Sequence, residues 1–192
     1  MPPHPIYLAA ERGDLAEVQR LITENPALLG LRGSDGHTPL LRAARHGQAA
    51  MVEWLLGQGA DPEAQVNGRG NALYLASSWG HTAVISVLLD RGFDIIRGAS
   101  VGLASLMMAA FGGHVAAVEL LLSRKEIQID GQSGTGSTAL YWASFENHPE
   151  VIGLLLKAGA DPRIALNDGR TPLDQARHGR SDECIPLLEV SK

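Results

Sequence analysis

The stretch TPLLRAARHGQAAMVEWLLGQGAD, Thr38 to Asp61, reads as two short helices joined by a tight turn. Thr38 offers a hydroxyl to cap the first helix, and Pro39 follows at the position where a missing N–H is not needed. Ala43 and Ala44 are small enough to let a neighbouring helix approach closely. Gly47 then turns the chain, because a reversal between helices calls for a positive φ that glycine adopts without steric cost. Val52, Leu55 and Leu56 stand five, eight and nine residues beyond Gly47, the i, i+3, i+4 stripe of an amphipathic helix.

The same pattern recurs along the whole chain. Gly13, Gly47, Gly80, Gly113, Asn147 and Gly179 hold the turn position at spacings of 34, 33, 33, 34 and 32 residues. Beyond them, Val18, Leu21 and Ile22 match Ile85, Leu88 and Leu89, then Val118, Leu121 and Leu122, Ile152, Leu155 and Leu156, and Cys184, Leu187 and Leu188. Ahead of them runs a small-residue column: Ala9-Ala10, Ala43-Ala44, Ala76-Ser77, Ala109-Ala110 and Ala143-Ser144. Asn147 falls into the turn column and is read there as a turn residue. Between units, Gly59-Ala60-Asp61, Gly92-Phe93-Asp94 and Gly159-Ala160-Asp161 lead into the turn pairs Asp35-Gly36, Asn67-Gly68 and Asp168-Gly169. A fixed period in this range means stacked supersecondary units rather than one globular core.

TPLLRAARHG at 38–47, VEWLLGQGAD at 52–61 and TPLDQARHG at 171–179 resemble the signature of the ankyrin repeat family. The resemblance implies an all-α ankyrin-repeat solenoid of helix-turn-helix units with projecting β-hairpin-like loops. It covers one domain, 1–192, with units near 1–33, 34–66, 67–99, 100–133, 134–166 and 167–192, the first and last acting as caps. Both ends are more polar than the middle, as capping repeats require, and the array reads as whole. Units three, four and five depart from the Thr-Pro opening, with Asn71-Ala72, Ala104-Ser105 and Thr138-Ala139 in its place.

The bulk numbers narrow the function. A net charge of −5, from 16 basic and 21 acidic residues, argues against a nucleic acid as partner, since such binding rests on neutralising phosphates. A single cysteine excludes an internal disulfide framework and fits a reducing, cytoplasmic setting. No apolar run approaches membrane-spanning length, so no membrane partner is expected. Cys184 lies in the apolar column and reads as a small core residue.

Chemistry is largely absorbed by the repeat. His81, His114 and His148 follow the turn mark at the repeat period, and the family resemblance implies a structural role for them. No zinc-finger spacing or HExxH occurs, so neither metal nor cofactor is expected. The glycine-rich GQSGTG at 131–136 lacks the Lys-Ser/Thr and the flanking strand of a phosphate loop. No nucleophile assembles with a base, so no catalytic residue is assigned.

A binding surface emerges by subtraction. The family's concave face is lined by first helices and loop tips. Its exposed positions here, one and two residues before the turn mark, are Glu11 and Arg12, Arg45 and His46, Ser78 and Trp79, Phe111 and Gly112, Phe145 and Glu146, and Arg177 and His178. The residue after each opening leucine (Leu41, Tyr74, Met107, Tyr141) is expected to be partly exposed on the same side. Of the nine aromatic residues, Tyr74, Trp79, Phe111, Tyr141 and Phe145 occupy these columns, a placement typical of interface hot spots. Trp142 is better explained by packing between first helices. With Arg42, Arg45 and His46 on one side and Arg170, Arg177 and His178 on the other, the expected partner is a protein segment with an apolar centre and acidic flanks. The expectation is a monomeric, non-catalytic protein-binding module acting as an inhibitor or regulatory subunit; the competing reading is a small-ligand receptor or enzyme using the concave cleft.

Overall fold

Five of the six turn marks carry the left-handed backbone expected of them: Gly13 (φ 73°), Gly47 (75°), Gly80 (69°), Gly113 (65°) and Asn147 (60°). Gly179 does not. Its φ is −74°, and it closes its helix in a right-handed conformation. The computed structural model describes residues 4–66, 70–92, 99–179 and 182–189. Asn67, Gly68, Phe93 and Asp94, named above as turn and loop residues, lie outside them.

The chain forms two compact units, residues 1–93 and 94–192. The first holds α1 (Pro5–Arg12), α2 (Leu15–Glu24), a 3-10 turn (Pro26–Gly30), α3 (Pro39–Arg45), α4 (Ala49–Gly57), α5 (Ala72–Ser78) and α6 (Thr82–Asp90). The second holds α7 (Ala99–Phe111), α8 (Val115–Leu122), α9 (Ala139–Phe145), α10 (Pro149–Lys157), α11 (Pro172–His178) and α12 (Cys184–Glu189). In the first unit α1 packs on α3 and α3 on α5, with α4 against α6. In the second, α7 packs on α9 and α9 on α11, while α8, α10 and α12 form the other row. The fold is the all-α ankyrin-repeat class, and no strand occurs among the described residues beyond an isolated antiparallel bridge, Val66 to Gly70.

First-helix starts follow local chemistry. Thr38 accepts from the Leu41 N–H, Asn71 from Tyr74, Thr138 from Tyr141, and Thr171 from Asp174, whose carboxylate accepts in return from the Thr171 N–H. Asn71 and Thr138 therefore replace the missing Thr-Pro pair, since either side chain can satisfy an orphan N–H. Unit four offers no such cap before Leu106, and α7 begins back at Ala99, with 13 residues against 7 in α5 or α9.

The second helices are capped differently. Gln48, His81, His114 and His148 hold their N-cap positions without a capping hydrogen bond to the helix. Gln48 Nε2 donates instead to the Glu11 carbonyl, His81 Nε2 to Arg45 and His148 Nε2 to Phe111, each at 2.9 Å. These bonds stitch each repeat to the one before it within its unit, so the structural role expected of His81 and His148 holds and Gln48 shares it. A Cβ on Gly47 would stand 2.8 Å from His81 Nδ1, and one on Gly113 would stand 2.6 Å from His148. The turn glycine thus answers to its backbone and to the side chain lying over it.

The core is built from the expected columns and one more. Val18, Val52, Ile85, Val118, Ile152 and Cys184 are all fully buried. Four residues past the mark, Met51, Val84, Ala117 and Val151 are buried too, whereas the terminal repeats carry Glu17 and Glu183 there. Loop turns repeat as well: Gly33 N–H donates to His37, Ser133 to Ser137 and Leu166 to Arg170, each at 2.9 Å. Arg32 and Gln132 bridge these turns to the next loop at Gln65 and Ala165.

Candidate functional site

In the first unit the site gathers at the C-terminal ends of α1, α3 and α5, which the Gln48 and His81 bonds hold side by side. Trp79, the residue after α5, is 55% exposed. The Arg45 guanidinium lies over its ring, 5.6 Å from the centroid, a cation–π contact. His46 is exposed and Tyr74 half-buried. Leu41, expected to be partly exposed, is fully buried.

In the second unit four aromatic rings from two adjacent helices form one cluster. Trp142 takes Phe111, Tyr141 and Phe145 edge-on, with centroids 5.5, 6.0 and 5.7 Å away. Such T-shaped pairs satisfy the ring quadrupoles and fix the rings relative to one another. Phe145 remains 46% exposed and Phe111 38%, so the cluster presents a rigid apolar face outward. Beside it runs a groove of about 350 Å³ lined by Thr135, Tyr141, Phe145, Leu166, Asp168 and Arg170. Trp142 Nε1 donates to Ser137 Oγ at 3.1 Å, which fixes the ring as the backing of the cluster.

Met107 and Tyr141 depart from expectation: each is only 5% exposed. The residue after the opening leucine faces the neighbouring first helix, not solvent, because α7, α9 and α11 pack directly on one another. Tyr141 is committed to that contact. Its hydroxyl donates to Gln175 Oε1 at 3.1 Å, and both groups are buried. Tyr74 escapes only in part. The surface assignment therefore loses Met107 and Tyr141 and keeps Trp79, Phe111 and Phe145 as exposed aromatics.

The flanking cations also sort differently from the sequence expectation. Arg42 is paired with Glu11 and, at 2.7 Å, with Asp35, and stacks 5.0 Å from the Tyr7 ring. Arg170 meets Asp168 and Arg177 meets Glu189, each at 2.7 Å. Such guanidiniums are neutralised within the protein. Asp161 is gripped by Arg163 through two side-chain bonds at 2.9 Å and the Arg163 N–H, which hold its carboxyl down to about 2. His37 is buried, with Nδ1 3.0 Å from Asp35 Oδ2 but out of line for a hydrogen bond. Burial pushes its pKa below the ordinary imidazole value against the pull of Asp35. Burial likewise raises the Cys184 thiol, with Glu183 adding to the rise, and its sulfur lies 3.1 Å from Asn147 Oδ1.

Among the described residues no group of three His, Cys, Asp or Glu side chains could hold a metal ion, and no helix is long and apolar enough to cross a membrane. A second groove, about 620 Å³, lies at the last repeat between Leu173, Arg177, Leu188 and Glu189. What the arrangement offers is surface: preordered aromatic faces on paired helix ends.

The family model for ankyrin repeats (three copies) matches residues 6–99 and 106–190. Over 71 residues, 37% of this chain, the sequence is 45% identical to ankyrin repeat family A protein 2 of Mus musculus. That match spans 22% of the relative's length. An ankyrin repeat domain from Acinetobacter baumannii superposes with a TM-score of 0.79 at 29% identity, covering 97% of each chain. A chain in the solved complex of a predatory endopeptidase from Bdellovibrio bacteriovorus with an immunity protein superposes with a TM-score of 0.84, also at 29% identity and 97% of each chain.

Proposed function

This chain belongs to the ankyrin repeat family, and on that premise we propose that it acts by binding another protein and catalyses no reaction itself. Ankyrin repeats are protein–protein interaction modules. The observation that carries the reading is the exposure of Trp79, Phe111 and Phe145, three large aromatic side chains placed one or two residues before successive turn marks. Exposed aromatics held in place, Phe111 and Phe145 by the Trp142 ring and Trp79 by Arg45, lose little freedom on binding and are typical of interface hot spots. Arg45, His46 and Tyr74 belong to the rim of the first unit's patch, where charge steers association more than it sets affinity, whereas Arg177 is already paired with Glu189.

The mode of action within this reading is inhibition or regulation by occupancy: the partner's surface is covered. Likeness to a chain in an endopeptidase–immunity protein complex supports that choice. The reading takes the six repeats as one working domain, monomeric, without cofactor, in the cytoplasm, in keeping with a lone buried thiol at Cys184. The test is affinity capture with mass spectrometry, comparing wild type with a Trp79→Ala/Phe111→Ala/Phe145→Ala variant. Loss of specific partners from a variant that keeps its helical circular dichroism is expected. Unchanged partners on a folded variant reject this surface.

A further inference from the structure

The described arginines of the first unit divide by what their side chains meet. Arg20 is held between Glu17 and Glu24, Arg42 between Glu11 and Asp35, and Arg91 reaches Glu53 at 3.5 Å. Arg32 donates to the Gly36 and Gln65 carbonyls. Arg12 and Arg45 are exposed and meet no carboxylate among the described residues. Both lie in the last turn of a first helix, α1 and α3.

Position gathers them. Arg12, His46 and Trp79 each stand one residue before a turn mark, on helix ends that Gln48 and His81 tie together. Arg45 leans over Trp79 and joins the row. A cation in a helix's last turn is favoured by the carbonyl ends, so each arginine taken singly has a local explanation. That explanation does not account for a tryptophan left more than half exposed among them. The chain carries a surplus of acid overall, with a net charge of −5, yet this edge presents two guanidiniums that meet no carboxylate among the described residues, and an imidazole, in a row that ends on an indole. A guanidinium fork matches a carboxylate in two parallel hydrogen bonds, which sets the complementary chemistry.

We propose that this edge of the first unit docks an acidic segment of the partner protein, with Arg12 and Arg45 each taking a carboxylate and Trp79, at the α5 end of the row, receiving one bulky apolar side chain. The inference rests on the protein-binding reading above and adds the chemistry of the partner. It also revises the expectation of acidic flanks at both sides, because Arg42, Arg170 and Arg177 already hold carboxylates of their own.

The test pans a phage-displayed random peptide library against the full chain, and in parallel against Arg12→Glu/Arg45→Glu. Wild type is expected to enrich Asp and Glu to one side of a large apolar residue, and the charge-reversed variant Lys and Arg. Synthetic copies of the selected acidic peptides should bind Arg45→Ala about tenfold more weakly, since charge-assisted hydrogen bonds are among the stronger ones. Arg45→Lys should retain part of that affinity, and added salt should weaken binding to wild type. Selected peptides without acidic enrichment whose binding still depends on Trp79, Phe111 or Phe145 overturn this inference and leave the protein-binding reading standing. Peptides indifferent to all three aromatics overturn both. Acidic peptides that bind Arg12→Ala and Arg45→Ala as tightly as wild type, or a single-stranded oligonucleotide that outcompetes them at this edge, also overturn it.

Discussion

Gly47→Ala and Gly153→Ala are the same chemical change and are expected to move stability in opposite directions. At Gly47 the backbone has φ 75°, and a Cβ would stand 2.8 Å from the His81 ring. Holding an alanine in that conformation costs about 1–2 kcal/mol. Displacing the ring loosens the His81 bond to the Arg45 carbonyl, a net loss of about 1 kcal/mol. Gly153 lies inside α10 with nothing within 4 Å of its would-be Cβ, so alanine there adds about 0.5–1 kcal/mol through the entropy of the unfolded chain. The two variants should differ by about 3 kcal/mol, or roughly 6–12 °C in Tm for a chain of this size. Urea and thermal unfolding followed by far-ultraviolet circular dichroism measure both. In a His81→Ala background the cost of Gly47→Ala should shrink to its backbone part, about 1–2 kcal/mol. If Gly47→Ala is no worse than Gly153→Ala, or costs the same with and without the His81 ring, the account of the turn mark is wrong.

Four further outcomes follow from the site. Tyr141→Phe strands the buried Gln175 amide and should cost about 1–2 kcal/mol of stability while leaving affinity for a captured partner unchanged. Phe145→Ala should do the reverse, weakening that partner's Kd by about thirtyfold, as a hot spot does, with little change in unfolding midpoint. His37 has its pKa lowered by burial, so the unfolded chain takes up the proton first. Its contribution is full above the ordinary imidazole value and is lost as pH falls from there through the lowered native value, and His37→Gln should flatten the stability–pH curve over that window. Cys184 is fully buried with a raised pKa, so a thiol reagent should label it only at the rate of unfolding; rapid labelling of native protein would contradict the core assignment.

Much of this fold was legible because a repeat states the same fact several times. Val52 alone says little, but Val18, Val52, Ile85, Val118 and Ile152 at one offset leave no other period open. The errors came where a position depends on a neighbour rather than on its own helix. Met107 and Tyr141 sit beside exposed columns on the helical wheel, yet the adjacent first helix covers them. Gly179 occupies the mark of a unit whose helix closes without the left-handed turn. Arg42, Arg170 and Arg177 look like free surface charge in sequence, yet Arg42 finds a carboxylate on the preceding first helix, Arg177 one on α12 and Arg170 one two residues back in its own turn. Arg12 was visible in the exposed column but had no distinction until its companions were seen to be paired.

The sequence by itself determined the repeat, the helix pairs and most of the turn residues, because these follow from spacing and local backbone preference. Only the tertiary structure decided which members of the surface columns are free. Exposure is a property of what the neighbouring repeat places alongside, such as Tyr141 beneath the packed first helices or Arg45 over Trp79, and charge pairing depends on where the folded turns and helices bring a carboxylate; no periodicity within one helix encodes either.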